Sequence, residues 1–121
     1  MIEIRLKRTY DAAADDDGYR VLVDKLWPRG LSHATFHYDL WEKQIAPSDE
    51  LRHWFHSDPV DREAEFNRRY EAELHANPAL PGFIAMLAQH PVVTFLYSSR
   101  DRSDNNATVL REVVMAAMAK K

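Results

Sequence analysis

The chain contains no cysteine, which excludes disulfides, zinc–thiolate sites and thiol catalysis. Glycine is scarce, with 3 residues in 121. Neither Gly-x-Gly-x-x-Gly nor a phosphate-loop lysine signature is present, so nicotinamide and ordinary triphosphatase chemistries lose their support. Long apolar runs are missing too: the longest uncharged one, residues 113–119, falls far short of the roughly 20 residues that span a bilayer. At the start of the chain Glu3, Arg5, Lys7 and Arg8 interrupt the aliphatics, so there is no apolar core of a secretory signal. A cytoplasmic protein without membrane contact is the expectation. Nor is there an excess of positive charge. A net charge of −3 and a pI of about 6.0 give no general attraction to a phosphate backbone. The clusters Arg68-Arg69 and Arg100 with Arg102 stand among acids and read as ion-paired surface, so nucleic acid is not an expected partner.

What is present is ordinary for one globular domain over residues 1–121: 45% apolar and 29% charged residues, in a chain long enough to bury roughly two thirds of its unfolded surface. Ile2, Ile4 and Leu6 alternate with charged residues, the period of a strand with one buried and one wet face. Residues 9–18, ending Asp15-Asp16-Asp17-Gly18, carry no apolar period and read as a solvated loop. Val21-Leu22-Val23 suits a strand covered on both faces, near the centre of a sheet. Pro28 and Gly30 stop it. Residues 32–45 fit a helix by Trp41 and Ile45 and a strand by Phe36, Tyr38 and Leu40.

Helix signals dominate the middle of the chain. Ser48 reads as an N-cap before Asp49 and Glu50, with Leu51, Trp54 and Phe55 as the buried face. Asp58-Pro59 reads as a second helix start. Phe66, Tyr70 and Leu74 recur every four residues after it, Glu65 is placed to pair with Arg69, and Asn77-Pro78 ends the helix. A short helix over 83–88, a strand over 92–97 and a last helix over 105–119, with Ala107, Leu110, Val114 and Ala117 along one side, complete the chain. Strands joined by a long helical connection are most simply parallel. Only a loop joins the first two, so the expected class is α/β, with a small mixed, partly parallel sheet and helices packed on it.

Parallel strands over 19–24 and 92–97 would open on the same edge, where ligands of open α/β sheets sit. The first delivers Asp24, Lys25, Trp27 and Arg29 there; the second delivers Tyr97, Ser98, Ser99, Arg100 and Asp101. Asn105 and Asn106 follow at the start of the last helix, whose free N–H groups favour an anion. Arg29 and Arg100 are suited to bidentate contact with phosphate or carboxylate, and Trp27 or Tyr97 to a stacking wall. The competing reading is structural: Asp24, Asp101 and the two arginines pair only with one another, and Asp104 or Asn105 is simply an N-cap.

The segments Tyr19-Arg20-Val21-Leu22-Val23-Asp24-Lys25-Leu26-Trp27-Pro28-Arg29-Gly30-Leu31, Asp39-Leu40-Trp41, Ile45-Ala46-Pro47-Ser48, Leu96-Tyr97-Ser98-Ser99-Arg100-Asp101 and Asn105-Asn106-Ala107 resemble the YeaO-like branch of the domain of unknown function 488 family. The resemblance spans nearly the whole chain. It implies a small cytosolic α/β domain and no particular reaction. Other branches carry cysteine elements around the last strand; this chain has no thiol there, so no sulfur or thiolate–metal role carries over.

Other signals are weaker. His33 with His37, or His53 with His56, have spacings that can face one way on a helix, yet no complete ligand set accompanies them, and no metal is expected. Asp15-Asp16-Asp17 lacks the alternating ligands and closing Glu of a calcium loop. Trp41, Trp54 and Phe55 fit core packing better than an exposed aromatic surface. Ser98 and Ser99 have no base near in sequence, and an approach of His33 or His37 from the loop after Gly30 is what would supply one. Asp24 and Asp101 are candidates for orientation or proton transfer. The sequence therefore points to a small anionic or nucleotide-like ligand, held by Lys25, Arg29, Arg100 and the two asparagines, in a hydrolase, a transferase or a protein that binds without turnover. It specifies no cofactor. The alternative is a non-catalytic homodimer in which the Arg/Asp cluster is structural.

Overall fold

The alternation at the start of the chain folds as strand β1 (Glu3–Arg8) in the computed structural model, which describes residues 2–57 and 62–120. Three strands follow: β2 (Tyr19–Leu22), β3 (Leu40–Trp41) and β4 (Val92–Tyr97). Helices α1 (Asp49–Ser57), α2 (Glu63–Ala76) and α3 (Leu80–Leu87) lie between β3 and β4, and α4 (Asn106–Ala119) ends the described chain. The class is α/β, with helices packed on a four-stranded sheet of order β1-β4-β2-β3. No helix among the described residues is long and apolar enough to cross a membrane.

Every pairing in this sheet is parallel, so the mixed character expected of its first two strands is not seen. The reason is topological. β1 and β2 are not partners; β4 lies between them, and residues 9–18 return across the sheet to start β2 in the same direction. At about 3.3 Å per residue this segment is long enough to pass back along β1 without a helix. A short 3-10 turn (Asp15–Asp17) is its only regular piece.

The pairing register divides the strands into two faces. Ile4, Leu6, Tyr19, Val21, Val93, Phe95 and Tyr97 share the face on which the helices pack, and join a cluster with Leu51, Tyr70, Leu74, Phe83 and Leu110. Fully burying each aliphatic or Phe side chain contributes roughly 1.5–3 kcal/mol. The other face carries Arg5, Lys7, Arg20, Leu22, Thr94 and Leu96. It lies opposite the main helix-packed cluster. The 9–18 segment lies over its charged half, where the buried Arg20 and Asp17 form an ion pair that Lys7 joins at 3.0 Å. Over the apolar half, Leu22 and Leu96 meet Phe36, Trp27, Tyr38 and Trp41. The solvated-loop reading therefore holds for Asp15 and Asp16, which are exposed, and is corrected at Asp17, which is buried.

In residues 32–45 the strand reading holds only at Leu40–Trp41. A turn precedes it, with the Phe36 N–H donating to the Ser32 carbonyl at 2.9 Å, and a 3-10 turn (Lys43–Ile45) follows. Ser48 caps α1 as expected, its Oγ accepting from the Leu51 N–H at 3.1 Å, and Arg69 meets Glu65 at 2.9 Å along α2. The Asp58-Pro59 helix start lies outside the described residues. In α3, Gly82 sits with nothing within 4 Å of where a Cβ would stand. Gly82→Ala is therefore expected to stabilise the protein by about 0.5–1 kcal/mol, through helix propensity and a less flexible unfolded chain. Urea unfolding checks this.

Candidate ligand site

With β2 and β4 parallel, their C-terminal ends open on one edge, and a cavity of about 640 Å³ lies there. The β2 side supplies Asp24, Lys25, Trp27 and Arg29. The β4 side supplies Ser98, Ser99, Arg100 and Asp101, and the start of α4 supplies Asn105 and Asn106. Of the residues assigned to this edge from sequence, Tyr97 alone does not line the cavity; His33 and His37, the histidines considered as a base for Ser98, do not line it either. Tyr97 is 2% exposed and turned into the helix-covered core. The alternation of β4 places it on the same face as Phe95, so it is corrected as a stacking wall. Trp27 does line the cavity, although its ring already stacks on His33 at 3.6 Å and meets Trp41 edge-on at 5.3 Å.

Asp24 is the most enclosed acid of the site. Its Oδ1 accepts from Asn106 Nδ2 at 3.0 Å and its Oδ2 from the Ser98 N–H at 2.8 Å, so one carboxylate joins the end of β2, the β4 loop and α4. Burial raises its pKa above the usual carboxylate range, against the opposing effect of these hydrogen bonds. Asp101 differs. Its Oδ1 accepts from the N–H groups of Ser103 and Asp104, each at 3.0 Å, and these bonds hold its pKa low. Asn105 is the α4 N-cap: its side-chain oxygen accepts from the Thr108 N–H at 3.0 Å, and its amide donates to the Asp101 carbonyl at 2.8 Å. The N-cap expectation thus holds at Asn105.

Arg29 and Arg100 are both exposed, and neither makes an ion pair with a described residue. The mutual pairing of these arginines with Asp24 and Asp101 is not observed. Lys25 sits 3.3 Å from Asp49, a carboxylate it shares with Arg52. Arg52 reaches the cavity wall with its Nε buried and without a partner among the described residues. Across the cavity, Glu63 faces Asp104, which raises the Glu63 pKa by hydrogen bonding and like charge. Asp104 also accepts from Asn67 Nδ2 at 2.9 Å.

Sequence reading missed the element that holds the two loops together. Arg8, at the end of β1, donates to the carbonyls of Ser99 at 2.8 Å and Ser98 at 3.0 Å, and the Tyr10 hydroxyl donates to the Arg29 carbonyl at 3.0 Å. It also missed the apolar wall. Phe55 and Phe66 line the cavity with ring centroids 4.9 Å apart. Phe55 is adjacent to Trp54, whose side chain packs on the core, and one residue along a helix turns the side chain away by about 100°. Among the described residues no group of three or more His, Asp or Glu side chains is placed to hold a metal.

Comparison with known proteins places this chain in a family. The family DUF488-N3i, described as "Inactive DUF488-N3 subclade", matches residues 3–121. The chain belongs to this DUF488 subclade. It is 42% identical over 111 residues to the uncharacterized protein YeaO of Escherichia coli (strain K12), covering 92% of this chain and 96% of that protein. It is 39% identical over 111 residues to the uncharacterized proteins Rv3073c of Mycobacterium tuberculosis and Mb3100c of Mycobacterium bovis, covering 92% of each chain. No solved structure matches it. The DUF488 resemblance read from the motifs around β2, β3 and β4 is thereby confirmed, and most of those motif residues lie at this sheet edge or in the two strands that lead to it.

Proposed function

We propose that this DUF488 protein binds a small anionic or nucleotide-like ligand at the C-terminal edge of its sheet and holds it without turnover. The supporting observation is that Arg29 and Arg100, from loops far apart in the chain, line one cavity while exposed and unpaired among the described residues. Guanidinium groups so presented match phosphate or carboxylate bidentately, and about 640 Å³ falls within the usual size of small-molecule sites. Asn106 and the loop N–H groups add hydrogen bonding, and Asp24 orients the occupant. Asp101 orders its own loop.

Binding alone is favoured over hydrolase or transferase chemistry by two observations. The subclade is described as inactive, and the Ser98 hydroxyl lies 3.2 Å from the Thr9 hydroxyl, with no histidine hydrogen-bonded to it among the described residues. A cytoplasmic setting goes with a metabolite ligand.

Titration calorimetry with ribose 5-phosphate is the test. Losing a hydrogen bond to a charged group costs about 1.5–3 kcal/mol, so Arg29→Ala and Arg100→Ala are each expected to weaken binding about tenfold or more. Unchanged affinity in both variants overturns the proposal. The rival reading, a homodimer without a ligand, draws on Leu26 and Tyr10, which are 58% and 44% exposed at the cavity mouth. A tight dimer by solution mass, together with silent titrations, is the outcome that favours it.

A further inference from the structure

The polar groups that line the cavity differ in burial: Asp24, Arg52 and Asn106 are half-buried, whereas Arg29 and Arg100 are exposed. Among the half-buried wall groups Asp24 and Asn106 present acceptors, and Arg52 Nε is a buried donor without a partner among the described residues. Asp24 accepts from the Asn106 amide and the Ser98 N–H, with the Ser98 hydroxyl also against it, and a carboxylate with four lone pairs keeps acceptor capacity beyond these. The Asn106 amide nitrogen is used on Asp24 and on the Val23 carbonyl, 3.4 Å away, leaving its own side-chain oxygen as a further acceptor. No described cation pairs with Asp24. The other wall acids are occupied: Asp101 by its loop N–H groups, Asp104 by Asn67 and Glu63. At the mouth stand the donors Arg29 and Arg100, and along the wall are the rings of Phe55 and Phe66 with the exposed Leu26.

An occupant that satisfies all three zones carries a hydrogen-bond donor at one end, a flat apolar body and an anion at the other end. An inorganic anion leaves the inner acceptors unmet. An α-amino acid fails because its ammonium and carboxylate groups are attached to one carbon, too close together to reach both ends. A dicarboxylate would place a negative charge against Asp24. Resting on the anion-binding reading, we infer that the ligand is a nucleoside monophosphate whose base bears an amino group, with the base inward on Asp24 and the phosphate outward on Arg29 and Arg100. The amino N–H groups donate to Asp24, the ring lies along Phe55 and Phe66, and the phosphate stays in the solvated mouth.

Calorimetric titration of the wild-type protein with AMP, CMP, ribose 5-phosphate and the nucleotide analogues bearing hydrogen in place of the amino group tests this. AMP or CMP is expected to bind at least ten times more tightly than ribose 5-phosphate, and its analogue to lose about tenfold. Asp24→Asn should erase the difference between nucleotide and analogue; because that variant also disturbs the Asn106 and Ser98 bonds, the wild-type comparison stands independently of it. If neither nucleotide outbinds ribose 5-phosphate, or the analogues bind equally well, the inference is overturned. In that case Arg29- and Arg100-dependent binding of ribose 5-phosphate leaves the anion-binding reading standing, whereas no arginine-dependent binding of any compound removes both.

Discussion

Asp17→Ala is expected to lower the free energy of unfolding by about 3–5 kcal/mol, a large fraction of what a domain of this size possesses. Asp17 and Arg20 are 2% and 3% exposed, on the sheet face opposite the main helix-packed cluster. The Arg20 guanidinium spends Nη1 on Asp17 and its Nε on the His37 carbonyl at 2.8 Å. Truncating the acid leaves a guanidinium enclosed without its counter-charge, and that uncompensated charge is the main cost. Lys7 also loses its carboxylate partner, and the Ala14 N–H loses the bond it donates to Asp17 Oδ2 at 2.9 Å. Asp17→Asn retains hydrogen-bonding capacity without the charge and should fall between the two. Urea unfolding of the three proteins measures the series, and a loss under 1 kcal/mol for the alanine variant would show that Arg20 finds water or another partner.

The same carboxylate predicts a pH dependence. Burial pushes the Asp17 pKa up, but hydrogen bonds from the Ala14 N–H and Lys7, with the charges of Lys7 and Arg20, outweigh it, and the net shift is downward. The unfolded state then binds the proton more readily than the folded state, so stability falls as the pH drops below about 4, the ordinary Asp range. Asp11, held at about 2 by hydrogen bonding to Arg102, acts in the same direction, reduced by solvent screening because Arg102 is largely exposed. The deficit of Asp17→Ala is therefore largest near neutrality and shrinks as the pH falls below about 4, where the wild-type protein loses its advantage.

Asp17 also shows why one face of the fold was hidden in the sequence. The helical face was readable because its periods are strong: Phe66, Tyr70 and Leu74 on α2, and Ala107, Leu110 and Val114 on α4, all recur at helical spacing and all join the main cluster. The opposite face is closed by chain with no regular period. Arg5 and Lys7 alternate with aliphatics just as residues on a wet face do, and an Asp-Asp-Asp-Gly run has the composition of a solvated turn. Nothing local distinguishes a charged residue in water from one paired under a crossover; the distinction comes from β4 entering the sheet between β1 and β2.

The candidate site was legible for a related reason. Once β2 and β4 are parallel, whatever follows each strand meets at one edge, so the gathering of Asp24, Arg29, Ser98 and Arg100 follows from strand direction alone. Side-chain direction needed register. The alternation that buries Phe95 also buries Tyr97, whereas Phe55, which looks like core from its neighbours Leu51 and Trp54, is turned to the cavity. The Arg8 and Tyr10 contacts were out of reach because they depend on where β1 ends relative to loops distant in the chain.

Gly18→Ala is expected to cost about 3 kcal/mol or more and to disturb the pairing of β2 with β4. Gly18 joins the crossover to β2 at φ +69 and ψ −136, a region that residues with a Cβ occupy only under strain of order 1–3 kcal/mol. Space is a second, independent obstacle: a Cβ there would lie 2.2 Å from the Val92 carbonyl oxygen and 2.8 Å from its carbon. Backbone of a central strand cannot yield without shifting the ladder in which Tyr19 pairs with Val93, so strain and displacement add. Gly30 separates the two contributions, because it too has positive φ, +79, but nothing within 4 Å of the Cβ position. Gly30→Ala should therefore cost only about 1 kcal/mol, the conformational share alone. Thermal or urea unfolding of the pair measures the difference, and equal losses at the two glycines would mean that the crossover does not approach β4 as closely as the structure places it.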